Sequence, residues 1–424
     1  ASLCAVDAFG SRASADAVQR TLAILDVGGW ELHVDGDTEE PWGYCSSYGM
    51  KASVVDAAAR TFVARLMEEY ARSKGKSRWA EKTPDNALYV DFLLMLFPEA
   101  RCIHLVRDGL DVAMSTSVVE KHREGISGFL EKYLGLGPGV PPVDNNPFNA
   151  LLKWNHWDGL ITKSLKGRDH LRVCYEQLVS EPEAAMRPVM EFIGERFEPG
   201  MLDYAKFRHE YPSWEWGSAD VQARGRISRD RIGRGRRELS PVQLGIMEPI
   251  AGIGQTTSIA ERESTFDASE TASEPFRRMT SYLNGLSRPF GLGVLDGSNA
   301  WEASWLWLNG LGRVPWRGKR VAHTGGAPVL AWIAAMLGSE VVFVDERQGD
   351  HATLAKLARD LHVKIGWSSR ERDVGVADVV IAVCPEADTG AAERAARHVK
   401  PGGLLAAATG AGPQRSTMLR VVRA

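Results

Sequence analysis

Apolar positions recur at helical spacing early in the chain. Over 51–75, Val54, Val55, Ala58, Phe62, Val63, Leu66 and Met67 follow the i, i+3, i+4 rule, while Arg60, Arg65 and Glu69 take the other face. A second helix is predicted over 85–97, stopped by Pro98. The run Cys102-Ile103-His104-Leu105-Val106 predicts a buried strand. Arg107-Asp108-Gly109 then turns the chain into a helix over 109–122. After a Gly-, Pro- and Asn-rich loop at 134–147, helices are predicted at 148–166, 182–194 and 240–252, with a strand at 171–175. Residues 206–238 carry no period, and the small polar residues of 256–298 predict a linker. The last hundred residues alternate strand-like runs (320–323, 341–345, 363–366, 378–383, 403–408) with Ala- and Leu-rich helices, the rhythm of βαβ units on a parallel sheet.

Composition narrows the classes. A chain of 424 residues suits two or three domains. A net charge of −3 gives no general attraction to nucleic acid or anionic membrane, so any anion site has to be local. The five cysteines are scattered and lack a CxxC pair, which argues against a disulfide framework or a zinc site and suits the cytoplasm. The most apolar run, Leu88 to Phe97, holds Asp91 and predicts a core helix rather than a membrane span. No signal peptide is visible, and no G-x-x-x-x-G-K-[ST] loop occurs, which disfavours a P-loop kinase.

Two stretches carry chemistry: Arg78-Trp79-Ala80-Glu81-Lys82-Thr83-Pro84-Asp85-Asn86, and Arg101 to Ser115. The second is a strand that delivers the Arg107 guanidinium at its C-terminal edge, where open α/β sheets bind ligands. A planar guanidinium fork suits phosphate. Ser115 stands one turn beyond Asp111 on the same helix face and offers a hydroxyl to the same anion, while Asp108 suits the N-cap. On the residues alone, a local ion pair and a helix cap are the favoured reading of Arg107 and Asp108. The ordered pair of motifs alters that balance. "WAEKTPDN" followed by "FPEARCIHLVRDGLDVAMS" resembles the sulfotransferases that use 3′-phosphoadenosine 5′-phosphosulfate (PAPS). Later pieces extend the resemblance over about residues 50–255: Arg172-Val-Cys-Tyr175-Glu176, Phe192-Ile-Gly194 and Arg234-Gly-Arg-Arg-Glu-Leu239-Ser240.

The resemblance implies that Arg107 and Ser115 hold the donor's 3′-phosphate and that Lys82 stands near the phosphosulfate, where its charge stabilises the leaving phosphate. Seven arginines lie within 224–237, and Arg226, Arg229 and Arg234 match a basic segment that folds over the nucleotide. A solvated loop and a nucleic-acid patch are the competing readings of this segment, the latter disfavoured by the lack of interleaved aromatics. The family's phosphosulfate loop is not evident. Leu3 to Ser14 offers an apolar run, Gly10-Ser11-Arg12 and a helix, but neither the threonine pair nor the proline, so the loop is expected upstream of residue 1 or in degenerate form. The acceptor's general base is expected among His33, Glu39 and Glu40, with His33 the first choice and His156 an outside candidate. The acceptor is expected to be a small molecule or a carbohydrate.

In the tail, Arg320-Val-Ala-His323-Thr324-Gly325-Gly326-Ala-Pro328 ends a strand in a glycine turn, and Asp345 follows about 20 residues on, the usual partner of a ribose hydroxyl. Together with "VKPGGLL" at 399–405, this resembles class I methyltransferases that use S-adenosylmethionine (SAM), which implies Gly325 and Asp345 as its contacts. The family favours an acidic residue before its glycine loop, and His-Thr-Gly-Gly-Ala-Pro departs from that. A ligand-binding methyltransferase-like fold, a degenerate structural copy and a nicotinamide-dinucleotide fold stay open. Trp301, Trp305 and Trp307 are expected to pack a domain interface. The expected architecture is thus α/β: a P-loop-like sulfotransferase fold with a parallel sheet over 1–255, a linker at 256–298, and a small Rossmann-like parallel-sheet domain over 299–424. A non-catalytic nucleotide-binding or scaffolding protein that has lost its phosphosulfate loop is the alternative from another class.

Overall fold

A computed structural model of the chain describes residues 52–82, 84–116, 146–203, 227–252, 259–287, 292, 294–344, 355, 358, 361–368, 374–383, 390–409 and 416–421. By compactness the chain divides into two units. The first comprises Ala1–Leu105, Leu160–Val173 and Glu181–Ile227; the second comprises Val106–Gly159, Cys174–Ser180 and Ser228–Ala424.

In the first unit, helix α1 (Ala52–Ser73) follows the predicted pattern, with Met67 and Ala71 buried and Val54 exposed near its start. Helix α2 (Val90–Leu96) buries Leu94 and Leu96 and is preceded by a 3₁₀ turn at Pro84–Leu88. Strand β1 (Cys102–Val106) pairs with β2 (His170–Cys174). The expected burial of β1 holds on one face only: His104 is buried, whereas Ile103 and Leu105, which alternate with it and point to the opposite face, are exposed.

The second unit begins at the tip of β1. A helix, α3, follows with its described residues at 109–116. Helix α4 (Pro147–Ser164) buries Phe148, Leu151, Leu152 and His156, and the short helix α5 (Tyr175–Ser180) follows β2 directly. Helix α6 (Pro182–Ile193), on the first unit, starts with Pro182 and ends at Gly194, the asymmetry of a well-signalled helix. Helices α7 (Arg234–Glu238) and α8 (Pro241–Met247) close this region, and α8 opens with a Ser240–Gln243 capping box.

The described residues of the expected linker at 256–298 are a folded part of the second unit. It contains β3 (Arg262–Thr265) and α9 (Glu274–Ser287), whose Phe276, Met279, Leu283 and Leu286 are buried at helical spacing. The run Arg262-Glu-Ser-Thr265 is polar because β3 is an edge strand, and the Ser/Thr/Glu-rich prefix obscures the period that begins at Phe276. Helix α10 (Gly297–Asn309) leads to β4 (Arg320–Gly325), α11 (Pro328–Met336), β5 (Glu340–Val344), β6 (Ile365–Ser368), β7 (Ala377–Val383), α12 (Ala391–Ala396), β8 (Val399–Thr409) and β9 (Ser416–Val421). The sheet order is β3-β9-β8-β7-β4-β5-β6. Strands β4 to β8 are parallel, and β9 is antiparallel to β8 and to β3. Read from β4, the order reverses between β4 and β7, the Rossmann-like switch point. Buried on both faces, these strands read as continuous apolar runs, Val379 to Val383 above all.

One hydrophobic core runs through this unit. Leu110 and Ala113 of α3, Phe148 of α4 and Met247 of α8 belong to the same cluster as Met279, Trp307 and the β4–β7 strands. The Phe148 ring stacks on Tyr282 at 5.2 Å and meets Trp307 edge-on at 5.9 Å. Trp301, Trp305 and Trp307 all lie in this interior. His156 is buried, with Nε2 2.6 Å from the Leu361 carbonyl. His323, on β4, is wholly buried against Phe343, with Nε2 2.9 Å from the Gly326 carbonyl. Burial pushes its imidazole down to about 4, and burial lowers His156 as well.

Two consequences follow from this core. Truncating Phe148 to Ala should cost about 3–5 kcal/mol, read as a shift in the denaturation midpoint by tryptophan fluorescence; an unchanged midpoint would mean that α4 is not seated on α9 and α10. His323 stays neutral in the folded chain but binds a proton below its ordinary 6.5 when unfolded. The stability it contributes is therefore complete above pH 6.5 and is lost as the pH falls towards about 4. His323→Phe should reduce the drop in unfolding free energy between neutral pH and mildly acid pH by roughly 2 kcal/mol, with His156 supplying part of the remaining slope. An identical pH profile in the variant would contradict this.

Candidate anion site at the tip of β1

The site is built where β1 ends. Asp108 caps α3: its Oδ1 accepts from the N–H groups of Leu110 (2.9 Å) and Asp111 (3.1 Å), two of the donors a helix start leaves unpaired. The Asp108 N–H donates to Glu176 Oε1 (2.8 Å), which ties the tip of β1 to the start of α5. Burial pushes the Glu176 carboxyl up, yet the Asp108 N–H, the Cys174 thiol and the Arg107 charge outweigh it and hold the group below the usual carboxylate range.

Arg107 is held from several sides and is only 16% exposed. Its guanidinium lies 4.5 Å from the Tyr175 ring centroid, a cation–π contact. One NH₂ group donates to the Arg231 carbonyl at 2.9 Å and stands 3.8 Å from Asp111 Oδ2. Its Nε is buried with no hydrogen-bond partner. A buried donor without a partner costs free energy, and an anion reaching this edge of the guanidinium would satisfy it. The orphaned Nε therefore fits a phosphate group.

The arginine segment folds onto this tip. Asp111, fully buried on α3, accepts from the Gly233 N–H (2.8 Å) and the Gly235 N–H (2.7 Å) at the start of α7. Gly235 has to be glycine: a Cβ there would lie 2.5 Å from the Leu110 carbonyl carbon. Arg236 approaches Asp108 at 3.9 Å, Arg234 pairs with Glu238 at 2.6 Å, and Arg229 donates to the Ser180 carbonyl. Arg237 donates to the carbonyls of Ile232 and Asp230.

Of the sequence-predicted residues, Arg107, Ser115, Arg229 and Arg234 thus belong to one unit, with Ser115 half-buried on α3. Lys82 is exposed and belongs to the first unit. His33, Arg226 and Asp345, together with Glu39, Glu40 and the Leu3–Ser14 stretch, lie outside the described residues. Sequence reasoning missed the fastening role of Asp111, Gly233 and Gly235. The signal was the Gly-Arg-Gly spacing, which places two side-chain-free residues inside a run of arginines.

At the C-terminal sheet, Gly325 ends β4 with φ 84°, in the left-handed region that favours glycine, and is exposed at the switch point. The Gly326 N–H donates to the Val383 carbonyl at 2.6 Å, continuing the β4–β7 ladder beyond the strand end. No described helix is long and apolar enough to cross a membrane.

Comparison with known proteins bears on the first part of the chain. A model of the sulfotransferase family matches residues 31–199. The chain is 30% identical over 178 residues to an uncharacterized protein of Aquifex aeolicus (strain VF5), covering 41% of this chain and 20% of that one. It is 28% identical over 160 residues to protein-tyrosine sulfotransferase A of Caenorhabditis elegans, covering 37% of each. It therefore spans well under half the length of these curated relatives. A solved sulfotransferase domain from the curacin biosynthetic pathway aligns at 16% identity and a TM-score of 0.31, over 46% of this chain and 71% of that one. Over residues 31–199, a stretch that contains the Lys82 motif, β1 and Arg107, the chain carries the pattern of the sulfotransferase family.

Proposed function

We propose that the chain is a sulfotransferase that takes its sulfonate from PAPS and passes it to a hydroxyl or amine of a small-molecule or carbohydrate acceptor. The observation that supports the donor most directly is the partly buried Arg107 guanidinium, braced by Tyr175 and the Arg231 carbonyl, with its Nε lacking a partner. When bound, the donor supplies a sulfonate whose bond to phosphate oxygen breaks as one to the acceptor forms.

In this reading Arg107 and the Ser115 hydroxyl bind the 3′-phosphate, and Arg226, Arg229 and Arg234 surround the nucleotide's charge. Lys82 stabilises negative charge on the leaving phosphate, and His33 takes the acceptor proton. Tyrosine, the acceptor in the name of the nematode relative, is the competing acceptor class.

The described part of the C-terminal glycine turn does not fit SAM. The Gly326 N–H is given to Val383, and the position before the turn holds an inward-facing His323 where the resemblance implies a carboxylate. No methyl-transfer step is assigned to it.

Calorimetry with 3′,5′-adenosine bisphosphate tests the donor. The wild type should bind it more tightly than AMP. Arg107→Ala should weaken it about 10–100-fold, the worth of one or two charge-assisted hydrogen bonds. Arg237→Ala, whose guanidinium serves two backbone carbonyls, should change it by no more than about threefold. Equal affinity for AMP and the bisphosphate would defeat the assignment. For the tail, calorimetry with SAM should give no binding to the wild type; binding that Asp345→Ala abolishes would overturn that expectation.

A further inference from the structure

Asp111 faces two kinds of partner. Its carboxylate accepts from two backbone N–H groups, Gly233 to Oδ2 and Gly235 to Oδ1, and it stands 3.8 Å from the Arg107 guanidinium. These contacts predict opposite effects on a ligand anion. As a counter-ion, Asp111 would compete with the anion for Arg107, and neutralising it would tighten binding. As a fastener, it holds the arginine segment against the tip of β1, and neutralising it would loosen binding.

From this geometry we infer that Asp111 is a positioning residue for donor binding, a tertiary cap that docks the segment 229–238 beside Arg107. The inference rests on the donor reading above. Distance separates the two roles: both N–H bonds are short and direct, whereas the Arg107 contact lies beyond hydrogen-bond range. Burial adds to the case, since Asp111 is fully enclosed and its two oxygens are engaged by different residues of one turn. Gly235 completes the dock, because the Leu110 backbone fills the space a side chain would need. The docked segment presents the Arg231 carbonyl that orients Arg107. Asp111 acts through that segment and needs no contact of its own with the ligand.

The test is Asp111→Asn, which keeps the shape but turns an NH₂ group towards one of the two N–H donors. Binding of 3′,5′-adenosine bisphosphate should weaken about tenfold or more, binding of AMP should change less, and the dependence of the bisphosphate affinity on salt should become shallower as arginines withdraw. Tighter bisphosphate binding, or affinity equal to wild type, would overturn the inference. A wild type that does not prefer the bisphosphate to AMP would instead defeat the donor reading. Amide hydrogen exchange on the wild type keeps the idea open to refutation should the variant fail to fold. The Gly233 and Gly235 amides should be protected in the free protein, and amides of 229–232 should gain protection when the bisphosphate is added. Rapid exchange at both glycines would remove the fastener.

Discussion

A carboxylate withdrawn from water has to be answered by donors. At Asp111 those donors are backbone N–H groups from a segment more than a hundred residues further along the chain. That bond pair brings an arginine-rich stretch, which would otherwise repel itself, against a strand tip that already carries a guanidinium. The cost of gathering cations is offset locally: Glu238 answers Arg234, Asp108 and Glu248 answer Arg236, and carbonyls of Asp230 and Ile232 answer Arg237. The buried Nε of Arg107 remains unanswered. A site in which Arg234 and Arg236 meet carboxylates and Arg229 and Arg237 meet carbonyls, while the Arg107 Nε has no partner, is suited to an anion placed at Arg107.

The same unit shows why a fused nucleotide-type sheet need not bind a nucleotide to matter. Helix α3 buries Leu110 and Ala113 in the cluster that continues through Phe148, Tyr282 and Trp307 to the β4–β7 strands. The helix that presents Asp111 and Ser115 is thus founded on the core of the C-terminal sheet. Close packing transmits displacement, so the stability of that sheet bears on how firmly Arg107 and its helix are held. Under the proposed function, the tail supplies rigidity to donor binding even though its own glycine turn is closed onto Val383.

Much was legible in the sequence by itself. Helical spacing marked α1, apolar runs marked β4, β5 and β7, and Pro182 with Gly194 bracketed α6, because these signals are local and each depends on a few neighbouring residues. The strand-then-arginine order of Cys102 to Arg107 marked the candidate site for the same reason, and Asp108 caps its helix as its residue type and place suggest. Tertiary structure decided the rest. The polar run at 262–265 became an edge strand because β9 lay beside it, and β1 buries His104 on one face while Ile103 and Leu105 are exposed on the other. Whether Asp111 is a surface charge or an anchor depends on partners remote in sequence. Local pattern holds no record of such partners, since a buried polar group is satisfied only by what folding brings to it.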